Sequence, residues 1–461
     1  MISTQIFKAY DIRAIYPTEM NEESISVITK AIYTFFTQQA GRPNLHIVIG
    51  GDMRLSTPSL SKVVKETLVS MGAQVIDVGL VSTPTFYYSV RKLNADCGIQ
   101  ISASHNPKEY NGMKIVRNTP EGLIKIGTTT GMDEIKKMAV ENVFPESNTQ
   151  GSITTDDTIL EQEVENSFRI ADVGEISALK VVADAANAMG AVYLDAMFKK
   201  LNCNLIKMNF DLDGTFPSHQ PDPLQFETLR DLQDKVISEK ADLGIAPDGD
   251  GDRVFFIDEK GVVVPASVIT ALVARELLKK HPGEKIAFDI RSTMTPKKIV
   301  EENGGTAVLT KVGHALITET MHKEDVLFAG ESSGHYYFRE TGFAESLMPV
   351  ILIVLTVMTR EKKPISEIIE PLKGSIESGE INFKLQSRED TLKAFEKIKN
   401  NFNDGQVSEL DGISVDYPDW RFSIRSSNTE PLLRLNVEAR DKDVLNEKTK
   451  ALVSELENLQ N

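Results

Sequence analysis

Several residue types that mark particular protein classes are scarce in this chain of 461 residues. It contains only two cysteines, Cys97 and Cys203, and they form no CxxC pair. A disulfide framework is therefore not expected, and a reducing cytoplasm is the expected compartment. The first residues, Met1 to Ile6, contain no basic segment followed by an apolar stretch. No secretory signal is expected there.

Long hydrophobic runs and a positive charge balance are also missing. The most apolar run, Leu347 to Met358, contains Pro349 and is shorter than the roughly 20 residues that a bilayer span needs. It predicts a buried core helix, and no membrane partner is expected. The formal net charge of −16 argues against binding a nucleic acid backbone or an anionic membrane. Phosphate groups would have to be bound by local clusters of Arg, Lys and backbone N–H groups.

A strand–helix–strand order occurs three times, and each copy is followed by one more short apolar strand that ends in a polar loop. The length alone suggests roughly three domains. The first strands are His46–Asp52, Lys180–Asp184 and Lys285–Asp289, and the helices are Ser59–Met71, Ala191–Leu201 and Pro296–Asn303. The second strands are Gln74–Val78, Asn204–Met208 and Thr306–Leu309, and the strands before the loops are Cys97–Ile101, Leu243–Ala246 and Val326–Ala329. Open α/β sheets bind their ligands at such strand ends.

The chain after Pro364 has a different pattern. Strands such as Arg421–Arg425 and Leu432–Val437 flank helical stretches at 391–400 and 441–459, which predicts an α+β domain. We therefore expect four domains, at residues 1–148, 149–260, 261–365 and 366–461. The polar segment 146–157 is the expected linker between the first two.

One of the polar loops carries Asp248, Asp250 and Asp252, separated by glycines. Alternate carboxylates of this kind can converge on one point, and hard oxygen ligands suit Mg²⁺. A solvated acidic turn is the plain alternative. A calcium-binding EF-hand is a second alternative, because Glu259 stands at the twelfth position, but Arg253 occupies the sixth, where that loop needs glycine.

Three further loops carry reactive or polar groups. Ser104 lies in Ser102–Pro107, where it is either a nucleophile or a bystander in an Asn-Pro turn. The loop Gly330–His335 contains a carboxylate, hydroxyls and an imidazole, which suit sugar hydroxyls. The loop Arg425–Pro431 is either a phosphate cradle or a polar hairpin connection.

The order and spacing of these four loops, together with Tyr10-Asp11-Ile12-Arg13 near the start, resemble the α-D-phosphohexomutase superfamily. The resemblance is to the bacterial phosphomannomutase/phosphoglucomutase group in particular, and it runs nearly the whole length of the chain. It implies an α/β fold of three related α/β domains with mixed sheets plus a smaller C-terminal α+β domain around a central cleft. It also implies a cytoplasmic isomerase that interconverts hexose 1-phosphate and hexose 6-phosphate through a phosphoserine and a bound hexose 1,6-bisphosphate.

The resemblance assigns roles to individual residues. The implied catalytic group is Ser104 as phosphoryl carrier with His105, Lys114, Arg253 and His314. The implied Mg²⁺ ligands are Ser104, Asp248, Asp250 and Asp252. The implied substrate-binding residues are Tyr10, Arg13, Arg291, Glu331, Ser333, His335, Arg425, Ser427, Asn428 and Thr429. Small sugar phosphates are the expected partners of a monomer or homodimer.

Some positions depart from the usual family pattern. Ser102 stands where threonine is common, and Arg291 replaces a lysine of some members. The segment Phe343–Ser346 lacks the aspartate-rich stretch that many members carry after the sugar loop. Two alternatives remain at this point: a phosphoglucosamine mutase, which usually has Gln where this chain has Ser332, and a phosphatase with Asp248 as nucleophile.

Overall fold

A computed structural model describes residues 2–145, 149–384, 388–426 and 432–457. The chain divides into two compact units. The first unit contains Met1–Val264 and Ser333–Ile368, and the second contains Pro265–Ser332 and Ile369–Asn461. The expected third domain is thus distributed over both units. The boundaries expected at 148, 260 and 365 remain predictions.

A mixed sheet with helices on both faces fills the N-terminal part of the first unit. Its strands are β1 (Ile12–Ile15), β2 (His46–Gly51), β3 (Gln74–Leu80), β4 (Cys97–Ile101), β5 (Tyr110–Thr119), β6 (Gly122–Lys125) and β7 (Ser152–Thr155). The helices are α1 (Glu22–Ala40), α2 (Thr57–Ser70), α3 (Thr83–Lys92) and α4 (Met132–Glu141). The strand order is β1-β5-β4-β2-β3-β7, with β6 on β5. Strands β2, β3, β4 and β7 pair in parallel, and β1, β5 and β6 pair antiparallel.

Alternation along β2 explains the two helical layers. Ile47 and Ile49 pack in a core with α1, α2 and α4, whereas Val48 packs with Phe86 and Val90 of α3. Successive side chains of a strand point to opposite faces. A continuous apolar run is therefore what a strand covered on both sides requires. The predicted βαβ unit is confirmed here.

The expected linker at 146–157 is wrong in part. Residues Ser152–Thr155 form β7, which pairs in parallel with β3 from Gln74 to Asp77. All four β7 residues are exposed. The strand is thus held by backbone hydrogen bonds at a sheet edge and not by an apolar side-chain face. Its polar composition therefore resembles that of a linker.

A second mixed sheet follows in the same unit. Its strands are β8 (Lys180–Asp184), β9 (Asn204–Met208), β10 (Leu243–Pro247), β11 (Val254–Ile257) and β12 (Val263–Val264), with helices α5 (Ile159–Ala171), α6 (Gly190–Phe198) and α7 (Arg230–Glu239). The strand order is β12-β11-β10-β8-β9. Strands β8, β9 and β10 are parallel, and β11 and β12 are antiparallel additions. The acidic loop 248–253 connects β10 to β11.

Helix α5 carries a buried carboxyl group. Glu163 is 3% exposed, and its Oε2 has no hydrogen-bond partner among the residues that the structure describes. Burial raises the pKa of Glu163 from 4.5 to about 7, and a hydrogen bond from the Thr85 side chain lowers it by a smaller amount. Ionisation of this side chain therefore destabilises the folded chain.

The second unit begins with parallel strands and their helices. These are α8 (Ala266–Lys280), β13 (Lys285–Asp289), α9 (Met294–Glu302), β14 (Thr306–Thr310), α10 (His314–Glu324) and β15 (Phe328–Gly330). Strand β13 pairs in parallel with β14 on one side and with β15 on the other. The chain then returns to the first unit with β16 (Tyr336–Phe338), β17 (Ala344–Glu345), α11 (Met348–Glu361) and α12 (Ile365–Ile369).

The apolar run at 347–358 forms the buried helix α11, as predicted. Pro349 stands in its first turn, where its missing N–H group leaves no intrahelical bond unmade. Among the helices of the described residues, none combines the length and the hydropathy needed to cross a membrane.

The C-terminal part of the second unit is an antiparallel sheet with helices, which confirms the α+β prediction. Its elements are β18 (Ile376–Lys384), α13 (Arg388–Asn401), β19 (Gln406–Ser408), β20 (Ile413–Asp416), β21 (Trp420–Ser426), β22 (Leu432–Ala439) and α14 (Lys442–Glu457). The strand order is β18-β22-β21-β20-β19.

Glu438 of β22 joins this sheet to the start of α9. Its carboxylate accepts hydrogen bonds from Thr293 N at 2.7 Å and Met294 N at 3.1 Å. It also accepts from Arg421 Nη1 at 2.9 Å and from Ser375 Oγ at 2.9 Å. A negative charge at a helix N-terminus satisfies free amides and interacts favourably with the helix dipole.

Candidate active site

The serine loop leaves the end of β4 and returns as β5. Ser104 is 2% exposed and has a φ of 52°, in the left-handed region that non-glycine residues rarely adopt. The Ser102 hydroxyl accepts a hydrogen bond from Ser104 N at 3.0 Å. The hydroxyl at position 102 therefore has a structural role, and serine fulfils it in place of threonine. Ser104 Oγ lies 3.1 Å from His105 Nδ1 and 3.3 Å from Asp248 Oδ2.

The acidic loop is folded by its own carboxylate. Asp248 Oδ1 accepts from the backbone N–H groups of Asp252 at 3.0 Å and Arg253 at 3.1 Å, so Oδ2 is directed towards Ser104. Gly249 allows the two loops to meet, because a Cβ atom there would lie 2.4 Å from the carbonyl oxygen of Ser104. The two loops that the sequence singled out thus lie in contact.

The three aspartates fit a divalent cation. Their carboxylates are buried, and one oxygen of each lies within 4.8 Å of the others. Asp250 Oδ1 has no hydrogen-bond partner among the described residues, although it is buried. Buried oxygen ligands with an unsatisfied member are a suitable donor set for Mg²⁺. The alternatives of a solvated turn and of an EF-hand are wrong, because the aspartates are buried and the flanking elements are strands.

The charge balance of the triad supports the same conclusion. Burial raises the pKa of Asp248 well above its usual value, and the charges of Asp252 and Asp250 add to this. Lys114 Nζ lies 2.5 Å from Asp250 Oδ2 and 2.5 Å from Asp252 Oδ2. Burial lowers the pKa of Lys114, but the two carboxylates outweigh it and hold this pKa well above 10.5. Lys114 and Arg253 supply two positive charges against three carboxylates, so the triad keeps an excess of negative charge that a divalent cation can balance.

His105, the neighbour of Ser104, is held neutral. Burial lowers its pKa well below 6.5, and the positive charges of Arg253 and Arg13 lower it further. Arg13 Nη1 donates to the carbonyl oxygen of Ala103 at 3.0 Å and to Asn106 Oδ1. Arg13 Nε donates to Asp11 at 2.8 Å, and Tyr10 lies half-buried beside this pair.

His335 and Ser333 belong to the same group of side chains. The Ser333 hydroxyl lies 2.9 Å from His335 Nδ1, and His335 Nε2 lies 3.1 Å from Asp252 Oδ1 and 3.3 Å from Arg253 Nε. Arg253 Nη1 is also 3.5 Å from Asp222. His335, expected beside the sugar-binding residues, thus contacts the acidic loop.

In the second unit, Arg291 and Glu331 form a buried ion pair. Arg291 Nη2 donates to Glu331 Oε1 at 2.9 Å, and Arg291 also bonds both oxygens of Asp289 at 3.0 Å. Burial lowers the pKa of Arg291, but the charges of Asp289 and Glu331 outweigh it, so the pKa is raised. The arginine at this position therefore supplies a permanent cation beside Glu331.

His314, the other predicted catalytic histidine, is the half-buried first residue of α10.

Arg425 lies in an electropositive cluster on the C-terminal sheet. It stands directly opposite Arg434 of β22, and Glu380 of β18 pairs with both, at 3.0 Å and 3.2 Å. Arg425 Nε is buried without a hydrogen-bond partner among the described residues. The sequence analysis did not identify Arg434 or Glu380. The three other residues predicted for this loop, Ser427, Asn428 and Thr429, lie outside the described residues.

The atypical segment Phe343–Ser346 has its own support. The Glu345 carboxylate accepts a buried hydrogen bond from Lys125 Nζ. That ammonium lies 5.2 Å from the ring centroid of Tyr87 and 5.0 Å from that of Tyr337. One buried, paired glutamate therefore anchors this segment.

The sequence analysis also missed two residues that bond the acidic loop and the serine loop. Thr83, the first residue of α3, donates its backbone N–H to Asp250 O at 2.9 Å and its hydroxyl to Asp250 Oδ2. Arg54 binds backbone carbonyls of the serine loop. The Gly50–Arg54 turn at the end of β2 is the only local signal for Arg54, and it does not reveal the partner loop.

Comparison with known proteins gives the same family along the whole chain. Four models of the phosphoglucomutase/phosphomannomutase family match in order: alpha/beta/alpha domain I at residues 4–138, domain II at 162–261, domain III at 266–373 and the C-terminal domain at 380–454. The chain belongs to the phosphoglucomutase/phosphomannomutase family. It is a phosphohexomutase, an isomerase of the α/β class.

The relatives of this mutase extend over its full length. A phosphomannomutase of Escherichia coli (strain K12) is 36% identical over 97% of this chain and 98% of its own. A protein named phosphohexose mutases from Xanthomonas campestris is 37% identical over 94% of this chain and 95% of its own. A crystal structure of a family protein from Burkholderia thailandensis has a TM-score of 0.88 and 29% identity, and covers 100% of this chain and 98% of that one. The family is generally metal-dependent, and this mutase has the acidic triad that metal binding needs.

Proposed function

We propose that this mutase interconverts hexose 1-phosphate and hexose 6-phosphate, with Ser104 as the phosphoryl carrier and a hexose 1,6-bisphosphate as the bound intermediate. The observation that supports it most is the contact between two loops 144 residues apart in the chain. It puts the Ser104 hydroxyl 3.3 Å from a buried aspartate of an acidic triad. A serine in an ordinary Asn-Pro turn would not need such surroundings.

In the first half of the proposed cycle, the bond between phosphorus and Ser104 Oγ breaks and a bond from phosphorus to a sugar hydroxyl oxygen forms. The proton of that hydroxyl is transferred, and Ser104 regains a proton. In the second half, Ser104 Oγ attacks the other phosphate of the bisphosphate and the proton returns to the sugar oxygen. Neutral His105, with Nδ1 at 3.1 Å, is the group beside Oγ that can accept this proton.

We propose that the cations near Ser104 stabilise the negative charge of the phosphoryl group during transfer. Lys114 stays protonated between Asp250 and Asp252. Arg253 Nε lies 3.8 Å from Asp248 Oδ2, the third carboxylate of the triad. A permanent cation beside a transferring phosphoryl group lowers the barrier by stabilising its equatorial oxygens. We propose that Asp248, Asp250, Asp252 and Ser104 hold Mg²⁺, which supplies neutralisation of developing phosphoryl charge.

For the second unit we propose substrate-binding roles. Arg425 has an unsatisfied, buried Nε, and a guanidinium of this kind suits a phosphate group that is not reacting. Glu331, held by Arg291, is an acceptor for sugar hydroxyls. Tyr10, Arg13, Ser333, His335 and His314 complete the proposed binding and catalytic set, with Ser427, Asn428 and Thr429.

The sugar is proposed to be mannose, glucose or both, because the relatives include a phosphomannomutase and a phosphoglucomutase/phosphomannomutase family protein. A glucosamine phosphate is the second candidate, and Ser332 in the sugar loop disfavours it. We further propose a cytoplasmic location, because both cysteines are free thiols. A monomer or homodimer remains the proposed assembly. The Asp248 phosphatase alternative loses its support, because the chain matches a mutase family over all four domains.

The test is a coupled rate assay with Mg²⁺ and catalytic glucose 1,6-bisphosphate. It compares mannose 1-phosphate, glucose 1-phosphate and glucosamine 1-phosphate, with Ser104→Ala alongside. The proposal expects hexose 6-phosphate as product, a rate that collapses in the variant, and acid-stable phosphate on the wild-type serine. Release of free phosphate that the substitution leaves untouched would move the chemistry to Asp248.

A further inference from the structure

Arg54, a buried arginine outside the proposed catalytic set, binds the backbone of the serine loop. Arg54 is completely buried. Its Nη2 donates to the carbonyl oxygens of Ser104 at 2.8 Å and Asn106 at 2.6 Å, and its Nη1 donates to those of Pro107 at 2.7 Å and Tyr110 at 2.9 Å. One guanidinium therefore binds four backbone acceptors between the nucleophile and the start of β5.

The guanidinium is itself fixed on its other sides. Its Nε lies 3.2 Å from Asp52 Oδ2. Asp52 Oδ1 accepts from Arg54 N at 3.0 Å and from the Thr57 hydroxyl at 2.7 Å. The ring of Phe216 lies 5.1 Å from the guanidinium carbon. A planar fork with fixed donors can hold several acceptors at defined angles, which a lysine ammonium cannot do.

This anchorage acts on a strained residue. Ser104 has a φ of 52°, and such a conformation persists in a non-glycine residue only when its surroundings over-determine it. The Ser104 carbonyl oxygen that Arg54 holds is also the atom that approaches Gly249 of the acidic loop. Fixing that carbonyl fixes the peptide plane, and with it the direction of the side chain towards Asp248.

We infer that Arg54 is a positioning residue, which acts through the backbone of the 104–110 loop to place Ser104 Oγ against the acidic triad. Among the described residues, its side chain bonds Asp52 and the backbone carbonyls of this loop, and it bonds no carboxylate of the triad. Its loss should therefore reduce the transfer step far more than ground-state binding. This inference rests on the proposed role of Ser104 as phosphoryl carrier.

The test compares Arg54→Lys with the wild type and with Arg42→Lys as the matched control. Arg42 is an exposed arginine of the same domain that bonds Asp96 and the Asn44 carbonyl. The measurements are kcat and KM, the rate of Ser104 phosphorylation by glucose 1,6-bisphosphate followed by intact mass, Mg²⁺ affinity by calorimetry, and folding by circular dichroism. We expect R54K to lose about 100-fold in kcat and in the phosphorylation rate, the size of effect that an ångström of misplacement produces. KM and Mg²⁺ affinity should stay within about threefold.

Three outcomes bear on the inference. A folded R54K with a kcat within about threefold of wild type overturns it, and so does a variant in which KM, Mg²⁺ affinity and kcat decline together. If R54K does not fold, Asp52→Asn replaces it, since this keeps the arginine but removes the carboxylate charge that pairs with its guanidinium. An unchanged kcat in folded D52N then overturns the inference, and a selective kcat loss supports it. Absence of phosphate on wild-type Ser104 refutes the proposed function instead, and R42K should match wild type throughout.

Discussion

Replacing Glu163 by glutamine should change how the stability of helix α5 depends on pH. The pKa of Glu163 is raised from 4.5 to about 7 in the folded chain. The folded state therefore binds more protons than the unfolded state between these two values, and the free energy of unfolding falls as the pH rises through this window. The contribution is fully present below pH 4.5 and is lost above pH 7.

The structure sets the size of the effect. The rise in the pKa of Glu163 from 4.5 to about 7 corresponds to about 3 kcal/mol at about 1.36 kcal/mol per pKa unit. Between about pH 5 and about pH 8, the linkage changes the free energy of unfolding by about 2–3 kcal/mol. Glutamine keeps the shape and cannot ionise. The cost of burying its amide is the same at both pH values, so the difference between them isolates the ionisation of Glu163.

Hydrogen exchange followed by mass spectrometry suits this multidomain chain, because it reports the opening free energy of the α5 peptide alone. We expect the opening free energy of E163Q to rise by about 2–3 kcal/mol relative to wild type on going from about pH 5 to about pH 8. The exposed Glu165 on the same helix gives the matched control, since E165Q removes the same charge from solvent. A difference between E163Q and wild type that is equal at both pH values would refute the reasoning.

Three further predictions concern the site and its support. Asp250→Asn removes a charged oxygen of the proposed Mg²⁺ site and should raise the Mg²⁺ dissociation constant at least about tenfold; an unchanged affinity by calorimetry would show that Asp250 is not a ligand. Glu380→Gln relieves Arg425 of its paired carboxylate and should tighten binding of inorganic phosphate several-fold, which competition with substrate measures; weaker binding would contradict this. Glu345→Gln leaves the Lys125 ammonium buried without its charge partner and should cost about 3–5 kcal/mol, seen as a lower melting temperature. The double variant K125M/E345L should recover most of that loss.

The repeated strands were predictable because their signal is local. Cys97–Ile101, Asn204–Met208 and Lys285–Asp289 are strands with the bounds expected from the sequence. Cys97–Ile101 and Lys285–Asp289 are short runs that end in a turn, and burial on both faces leaves most of their side chains little freedom to be polar. Strand β7 could not be predicted in this way, because its side chains are exposed and only its backbone pairing with β3 makes it a strand.

The sequence allowed the loops of the candidate site to be predicted, but not the contacts that hold them in place. The acidic triad around Asp250 and the Ser104 loop, which lie in contact in the structure, were singled out from residue types, spacing and family resemblance. Their anchoring by Arg54 and Thr83 was not, because each acts on a loop that is distant in the sequence. A polar turn residue gives no sign of the carbonyl groups that it will meet. Such long-range backbone contacts appear only in the folded chain.

The carboxylate of Glu438 has a consequence for protein engineering. The first turn of α9 obtains its cap from a residue that lies some 145 positions later in the chain. A chimera that joins the C-terminal sheet of another mutase to this chain would leave the amides of Thr293 and Met294 without acceptors unless the donor also supplies a glutamate there. A chimera should therefore take Glu438, Ser375, Arg421 and the start of α9 from the same parent protein.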